Sequence, residues 1–122
     1  MATPEGKVKH GIASVLSKSR MLFGVDCFFW YNSSTGIFDP STKRFRRNNS
    51  PHSILGVADI LGLLSNGQFI AIEVKSAKGR LSIHQKAFLA KVEQMNGIAI
   101  VAYSVDDFVS KFKKIIRPDL TN

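Results

Sequence analysis

The sequence predicts a small α/β domain in the order α-β-β-β-α-β-α, with a central mixed sheet flanked by helices. Three features predict it. Two apolar stretches, beginning at Gly56 and at Phe69, are joined by Ser65-Asn66-Gly67, and Asn-Gly is the strongest short hairpin signal because both residues tolerate positive φ. A helical stretch from Ile83 to about Asn96 comes next. It is followed by Ile98-Ala99-Ile100-Val101-Ala102-Tyr103, a continuous apolar run of the kind buried on both faces of a sheet. A strand–helix–strand connection of this length implies a right-handed parallel crossover, which makes the sheet mixed. At 122 residues the chain suits one domain, residues 1–122, with its core between about 4 and 117.

Thr3-Pro4-Glu5 reads as a helix start: a capping Thr, Pro at the first helical position and an acid in the first turn. The helix should run to about Arg20 with Val8, Ile12, Val15 and Leu16 on one side. Gly6 and Gly11 weaken it by roughly 1 kcal/mol each. Val25 to Tyr31 is β-branched and aromatic and reads as a strand, with Phe28, Phe29 and Trp30 expected in the core although aromatics also stack on unpaired bases. Asn32-Ser33-Ser34-Thr35-Gly36 is turn chemistry. Lys43 to His52 has no core-forming period and reads as a loop or ragged hairpin. His52 is read as a solvated loop residue. Ser82 is a good cap for the helix from Ile83, whose Ile83, Ala87, Leu89 or Ala90, and Met95 are expected to face the sheet. Asn96-Gly97 ends it. Ser104 caps a last helix with Asp106 and Asp107 in its first turn and Lys111, Lys113, Lys114 and Arg117 towards its end, as the helix dipole favours. Pro118 stops it, leaving a loose tail from Asp119 to Asn122.

The balance of 17 Lys and Arg to 9 Asp and Glu gives a net charge of +8 and favours polyanionic partners such as nucleic acid. No apolar run approaches the roughly 18–20 residues that span a bilayer, so no membrane partner is expected. The N-terminus lacks the apolar region of a signal peptide, and the single cysteine, Cys27, fits a core residue in a reducing compartment; a cytoplasmic, non-secreted protein is expected.

Chemistry concentrates in the hairpin. Alternation along Phe69-Ile70-Ala71-Ile72-Glu73-Val74-Lys75 puts Phe69, Ala71, Glu73 and Lys75 on one face. Asp59, on the partner strand, falls level with Glu73 or nearly so. Burying such charges costs several kcal/mol each unless they are paired or hold a metal. Mg²⁺ takes oxygen ligands and is typically held by one or two carboxylates, so Asp59 and Glu73 suit a divalent-metal site. Lys75 would then orient or deprotonate a water, or offset charge on a phosphate. A surface hairpin with a Glu73–Lys75 ion pair worth roughly 0–1 kcal/mol stands equally open on residue types alone. Lys43, Arg44, Arg46 and Arg47 suit contact with a phosphate backbone. Lys78, Arg80 and Lys86 add charge beside the first turn of the second long helix, whose N–H groups and dipole favour phosphate.

Asp59, then Glu73-x-Lys75 after thirteen residues, resembles the PD-(D/E)XK nuclease motif. More narrowly, Gly56-Val57-Ala58-Asp59-Ile60-Leu61-Gly62, Ile72-Glu73-Val74-Lys75, Lys78-Gly79-Arg80-Leu81-Ser82 and Gln85-Lys86-Ala87-Phe88-Leu89 resemble consecutive blocks of the VRR-NUC (virus-type replication-repair nuclease) domain. The resemblance runs from about Pro4 to Phe112. Ala58 stands where that family usually has Pro, and Tyr31 stands where an Arg precedes the Asn-Asn-(Thr/Ser)-Gly block. The resemblance implies a restriction-endonuclease-like core and a metal-dependent phosphodiesterase that cuts within DNA strands. It implies Asp59, Glu73 and the main-chain carbonyl of Val74 as ligands of Mg²⁺ or Mn²⁺, Lys75 at the attacking water, and Gln85 in support. It also suggests that Glu5, from the first helix, approaches the metal.

Stand-alone members resemble junction-resolving enzymes and work as homodimers, which implies branched or four-way DNA as substrate and a role in replication, recombination or repair; the short stand-alone length alone suggests phage origin, with action in the cytoplasm of an infected bacterium. The alternatives are a flap or other structure-selective nuclease, a DNA-binding module without catalysis, and a basic scaffold for protein partners.

Overall fold

The computed structural model describes residues 3–32, 37–46 and 52–120. The elements are α1 (Pro4–Ser17), α2 (Ser19–Phe23), β1 (Cys27–Tyr31), β2 (Ile37–Asp39), β3 (Arg44–Arg46), β4 (Ile60–Leu64), β5 (Phe69–Val74), α3 (Ile83–Gln94), β6 (Ile98–Ala102) and α4 (Val105–Ile116), with a 3-10 turn at Pro118–Leu120. The main sheet has the order β1-β4-β5-β6, antiparallel at its first two pairings and parallel between β5 and β6. It is the mixed, helix-flanked sheet of a restriction-endonuclease-like core.

Alternation decides the two layers. Ile70, Ile72 and Val74 point from β5 into a core with Ile12 and Leu16 of α1, and Phe108 and Phe112 of α4. Ala71 points the other way, against Leu89 and Val92 of α3, with Phe69, Leu61 and Val101 packed around them. The α3 helix packs on β5 and β6. Where α1 meets α4 the backbones come close: a Cβ on Gly11 would stand 2.4 Å from the Val105 Cγ2. The glycine that weakens α1 in isolation therefore admits the neighbouring helix.

Several expectations need correction. The first helix does not run unbroken to Arg20. The Ser17 hydroxyl donates back to the Ala13 carbonyl, a bond that competes with helix propagation, and Lys18 leaves helical geometry before α2 begins. For the basic stretch the structure selects the hairpin among the two readings: β2 and β3 form a two-stranded hairpin separate from the main sheet, with the φ of 57° at Lys43 falling in its turn. In α3 the sheet-facing residues are Leu89 and Val92, whereas Ile83 and Met95 are 78% and 72% exposed. The helix begins at Ile83 as expected, but nine residues at 3.6 per turn put Ile83 on the opposite side from Val92, away from the buried stripe. Finally, Phe28 is 70% and Trp30 40% exposed, so of the three aromatics expected in the core only Phe29 packs against it. No described helix is long and apolar enough to cross a membrane.

Cys27 is half-buried against the core, and burial followed by the charge of Asp26 pushes its thiol up to about 11. At the C-terminal end Arg117 and Asp119 pair at 2.8 Å, and Arg117 also donates to the Phe23 carbonyl, tying α2 to the end of α4.

Candidate active site

The last described pair of the β4–β5 ladder is Ile60 with Ile72, so the next register position sets Asp59 against Glu73. There the ladder changes character. In place of a backbone acceptor, the Asp59 carboxylate takes the Val74 N–H, at 2.8 Å to Oδ2. One strand residue directs its N–H and C=O to the same side, so the Val74 carbonyl faces the Asp59 side as well. Lys75 N–H points the other way and donates to the Ala102 carbonyl of β6. Asp59 thus completes the sheet and carries a carboxylate to its edge.

Glu73 is 3% exposed. Its Oε1 accepts a hydrogen bond from Gln85 Nε2 at 3.1 Å. Gln85 is held by the α3 cap: its Oε1 accepts from the Ser82 N–H at 2.8 Å while its own N–H donates to Ser82 Oγ at 3.1 Å. With its oxygen committed to the cap, Gln85 can offer Glu73 only its NH₂. The other carboxylate oxygen, Oε2, is buried and accepts no hydrogen bond. Burial raises the Glu73 carboxyl to about 8, assisted by the Asp59 charge and by a hydrogen bond to Asp59 that only the protonated acid can make; Lys75 opposes the rise, and Glu5 adds to it least.

Gly56 locks the two halves of the site together. It has φ 76°, and a Cβ there would lie 2.3–2.5 Å from the backbone of His84 and Gln85. The segment leading into Asp59 therefore rests directly on the first turn of α3, which carries Gln85.

The structure brings Asp59, Glu73, Val74 and Gln85 together, with Lys75 close enough for its charge to reach Glu73. Lys78 and Arg80 are exposed in the β5–α3 connection, and Lys86 is exposed in the first turn of α3, all at the Gln85 end of that helix. Lys43, Arg44 and Arg46 belong to the separate hairpin, and Arg47 lies outside the described residues, as does most of the Asn32–Gly36 turn. Glu5 is exposed. Its charge is felt at Glu73, but no group of three or more metal-ligating His, Cys, Asp or Glu side chains gathers among the described residues. An apolar groove of about 570 Å³ between Ile54, Leu55, Phe69, Ala87, Phe88 and Met95 includes none of these groups. The Gly56 contact had no reading in the sequence beyond its place in a motif block. The Ser82–Gln85 coupling was not read either, although Ser-x-x-Gln before a helix is a capping-box signature.

This geometry is a strand-end carboxylate pair with a lysine beside it and a glutamine from the following helix. A family profile described as the VRR-NUC domain matches residues 38–106, a span that includes Asp59, Glu73, Lys75 and Gln85. The chain belongs to the VRR-NUC family. No curated protein and no solved structure gives a significant match. A VRR-NUC domain is a nuclease domain of the PD-(D/E)XK type, a phosphodiester hydrolase that binds DNA, and nucleases of this type generally depend on a divalent metal.

Proposed function

We propose that this VRR-NUC protein is a Mg²⁺- or Mn²⁺-dependent endodeoxyribonuclease selective for branched DNA, four-way junctions among its substrates, and that it acts as a homodimer. The observation that carries the metal site is the buried Glu73 Oε2, which has no donor and stands beside a second carboxylate. Such an oxygen is costly to bury unless a cation or a proton fills its side. The donor set fits a hard divalent ion, because Asp59, Glu73 and the Val74 carbonyl offer oxygen alone. These three groups would hold the ion, which when bound polarises a phosphoryl oxygen and makes water easier to deprotonate.

The chain supplies the rest. Gln85 fixes Glu73 through Oε1, leaving Oε2 for ligation. Lys75 orients the attacking water and offsets charge on the phosphate as one P–O ester bond is hydrolysed. Lys78, Arg80 and Lys86 neutralise flanking phosphates, and the cations of the β2–β3 hairpin and Arg47 extend that grip. Two symmetric cuts across a junction require two such sites, which a homodimer provides.

The test is cleavage of labelled four-way junction, flap, linear duplex and single strand in Mg²⁺, Mn²⁺ or EDTA, by wild type and Lys75→Ala. Paired metal-dependent cuts in the junction that disappear in the variant support the proposal. Cutting confined to flaps would move the protein to the other structure-selective nucleases. Junction binding without any cleavage would leave a DNA-binding module, and a monomeric mass at working concentration would remove the dimer.

A further inference from the structure

The edge strand β1 turns two of its exposed aromatics, Phe28 and Trp30, towards the same side of the sheet as the carboxylates; the third, Tyr31, lies on the other face against His10 and Lys9. In the β1–β4 register Phe28 opposes Leu63 and Trp30 opposes Leu61. Directly opposed residues share a face, and Leu61 belongs to the α3-side layer with Ala71. Phe28 and Trp30 are therefore on the face that carries Asp59 and Glu73, while Cys27 and Phe29 pack into the opposite core. The α3 helix lies over β5 and β6, and on the β1–β4 half Phe28, Trp30 and Leu63 are 70%, 40% and 41% exposed. The two rings brace each other, with centroids 5.5 Å apart and planes at 49°. This ledge is joined to the catalytic end of the sheet, because Asn32 N–H donates to the Asp59 carbonyl at 2.9 Å.

We infer that Phe28 and Trp30 form a stacking platform for an unpaired nucleobase next to the scissile phosphate, so that the preferred DNA has a single-stranded or splayed segment at the cut. The inference rests on the nuclease reading of Asp59 and Glu73 and adds to it the feature of the substrate that is recognised. Strand spacing and rise put the Trp30 Cα about 8 Å from that of Asp59 and about 12 Å from that of Glu73. That is roughly two to four rises of about 3.4 Å along a DNA strand, the reach of the nucleotides flanking the cut. An exposed aromatic pair accepts any base by its π-face, whereas a paired base in a duplex has no free face to offer. The net charge of +8 draws the backbone to which such a base belongs.

Trp30 is the one tryptophan of the chain, so it reports on its own occupancy. The protein in EDTA, where no cleavage occurs, is titrated with an oligothymidine and with a blunt-ended linear duplex of equal length, following tryptophan fluorescence and, with labelled DNA, anisotropy. The single strand should quench Trp30, and the duplex should not. Phe28→Ala and Trp30→Ala should each weaken oligothymidine binding by about 5- to 100-fold, leaving duplex binding unchanged. Trp30→Tyr, which keeps a stacking ring, should restore most of the affinity.

Quenching by neither DNA, or alanine variants that bind oligothymidine like wild type, overturns the platform. So does a fall in assembly mass in Trp30→Ala with single-strand affinity intact, which would make this face a contact between copies. Cleavage by the wild type is scored apart. Lost cleavage with quenching retained would remove the nuclease reading alone, and retained cleavage without quenching would remove the platform alone.

Discussion

Replacing Glu73 by Gln should stabilise the metal-free protein at alkaline pH while abolishing its response to metal. Glu73 ordinarily would titrate near 4.5, and in the fold it is raised to about 8. Below the lower value folded and unfolded chains both hold the proton. Between the two values only the folded chain holds it, so metal-free stability falls as pH rises, and above the upper value the loss is complete. At about 1.4 kcal/mol for each tenfold change, the interval sets a ceiling of about 5 kcal/mol. Water entering the ionised pocket should reduce this to about 2–3 kcal/mol.

Gln is nearly isosteric with Glu. Its oxygen can accept from Gln85 Nε2 as Glu73 Oε1 does, and its NH₂ faces Asp59, where the orphan oxygen now sits. Thermal unfolding in EDTA should therefore find wild type and Glu73→Gln equal near pH 5. The variant should be higher by about 8–15 °C near pH 9. At pH 8, Mn²⁺ at a hundred times its dissociation constant should raise wild-type stability by about 2.7 kcal/mol and leave the variant unmoved. A difference between the two proteins that does not change with pH, or a variant less stable than wild type at pH 9, would refute the reasoning, because either would mean that the Glu73 charge carries no penalty in the fold.

The other predictions probe the supports of the site. Asp59→Asn keeps an acceptor for the Val74 N–H, so it should cost under about 1 kcal/mol of stability yet abolish Mn²⁺ binding by calorimetry. Gln85→Ala removes half of the capping box and the Glu73 anchor, and should lower stability by about 1–2 kcal/mol and weaken metal binding tenfold or more. Gly56→Ala combines a positive φ with a Cβ against the α3 backbone, and should destabilise by about 2–4 kcal/mol in denaturant titration, far more than Gly67→Ala in the open hairpin turn. Native Cys27, its thiol pushed up to about 11, should react with a disulfide reagent at pH 8 much more slowly than the unfolded chain does.

The hairpin, the parallel crossover and the pairing of Asp59 with Glu73 were legible because each follows from a local rule: a turn dipeptide, an apolar run after a helix, a two-residue alternation. What escaped depended on which half of a face the third layer covers. Alternation puts Phe28 and Trp30 on one side of β1, but nothing local says that α3 stops over β5 and β6 and leaves that side open. The same ignorance misplaced Ile83 and Met95: the expected stripe does include Leu89, but it continues through Val92 and leaves both of these apolar residues exposed. Gly11 read only as a weak point in a helix, and Gly56 only as part of a motif block. Their use is close approach to residues 94 and 28 positions away in the chain, Val105 and His84, which no window of sequence contains.

The site's groups also do structural work, and that constrains how the site can change. Asp59 takes the place of a backbone acceptor at the end of the β4–β5 ladder, and Gln85 closes the cap of α3. Either can be replaced by a residue that serves the fold alone: Asn at 59 keeps the Val74 bond, and Glu at 85 keeps a cap acceptor. Glu73 differs, because Ile70, Ile72 and Val74 alone fill the core side of β5 and the sheet has no structural need for a carboxylate there. Its ionised form is a net cost to folding and its Oε2 has no donor to offset that cost. Hydrophobic substitution at Glu73, for instance Glu73→Leu, should therefore be tolerated or stabilising in EDTA, as it removes a buried charge beside Ala71 and Leu61. If Glu73→Leu instead unfolds the protein, then the carboxylate is part of the packing, and its burial no longer argues for a cation.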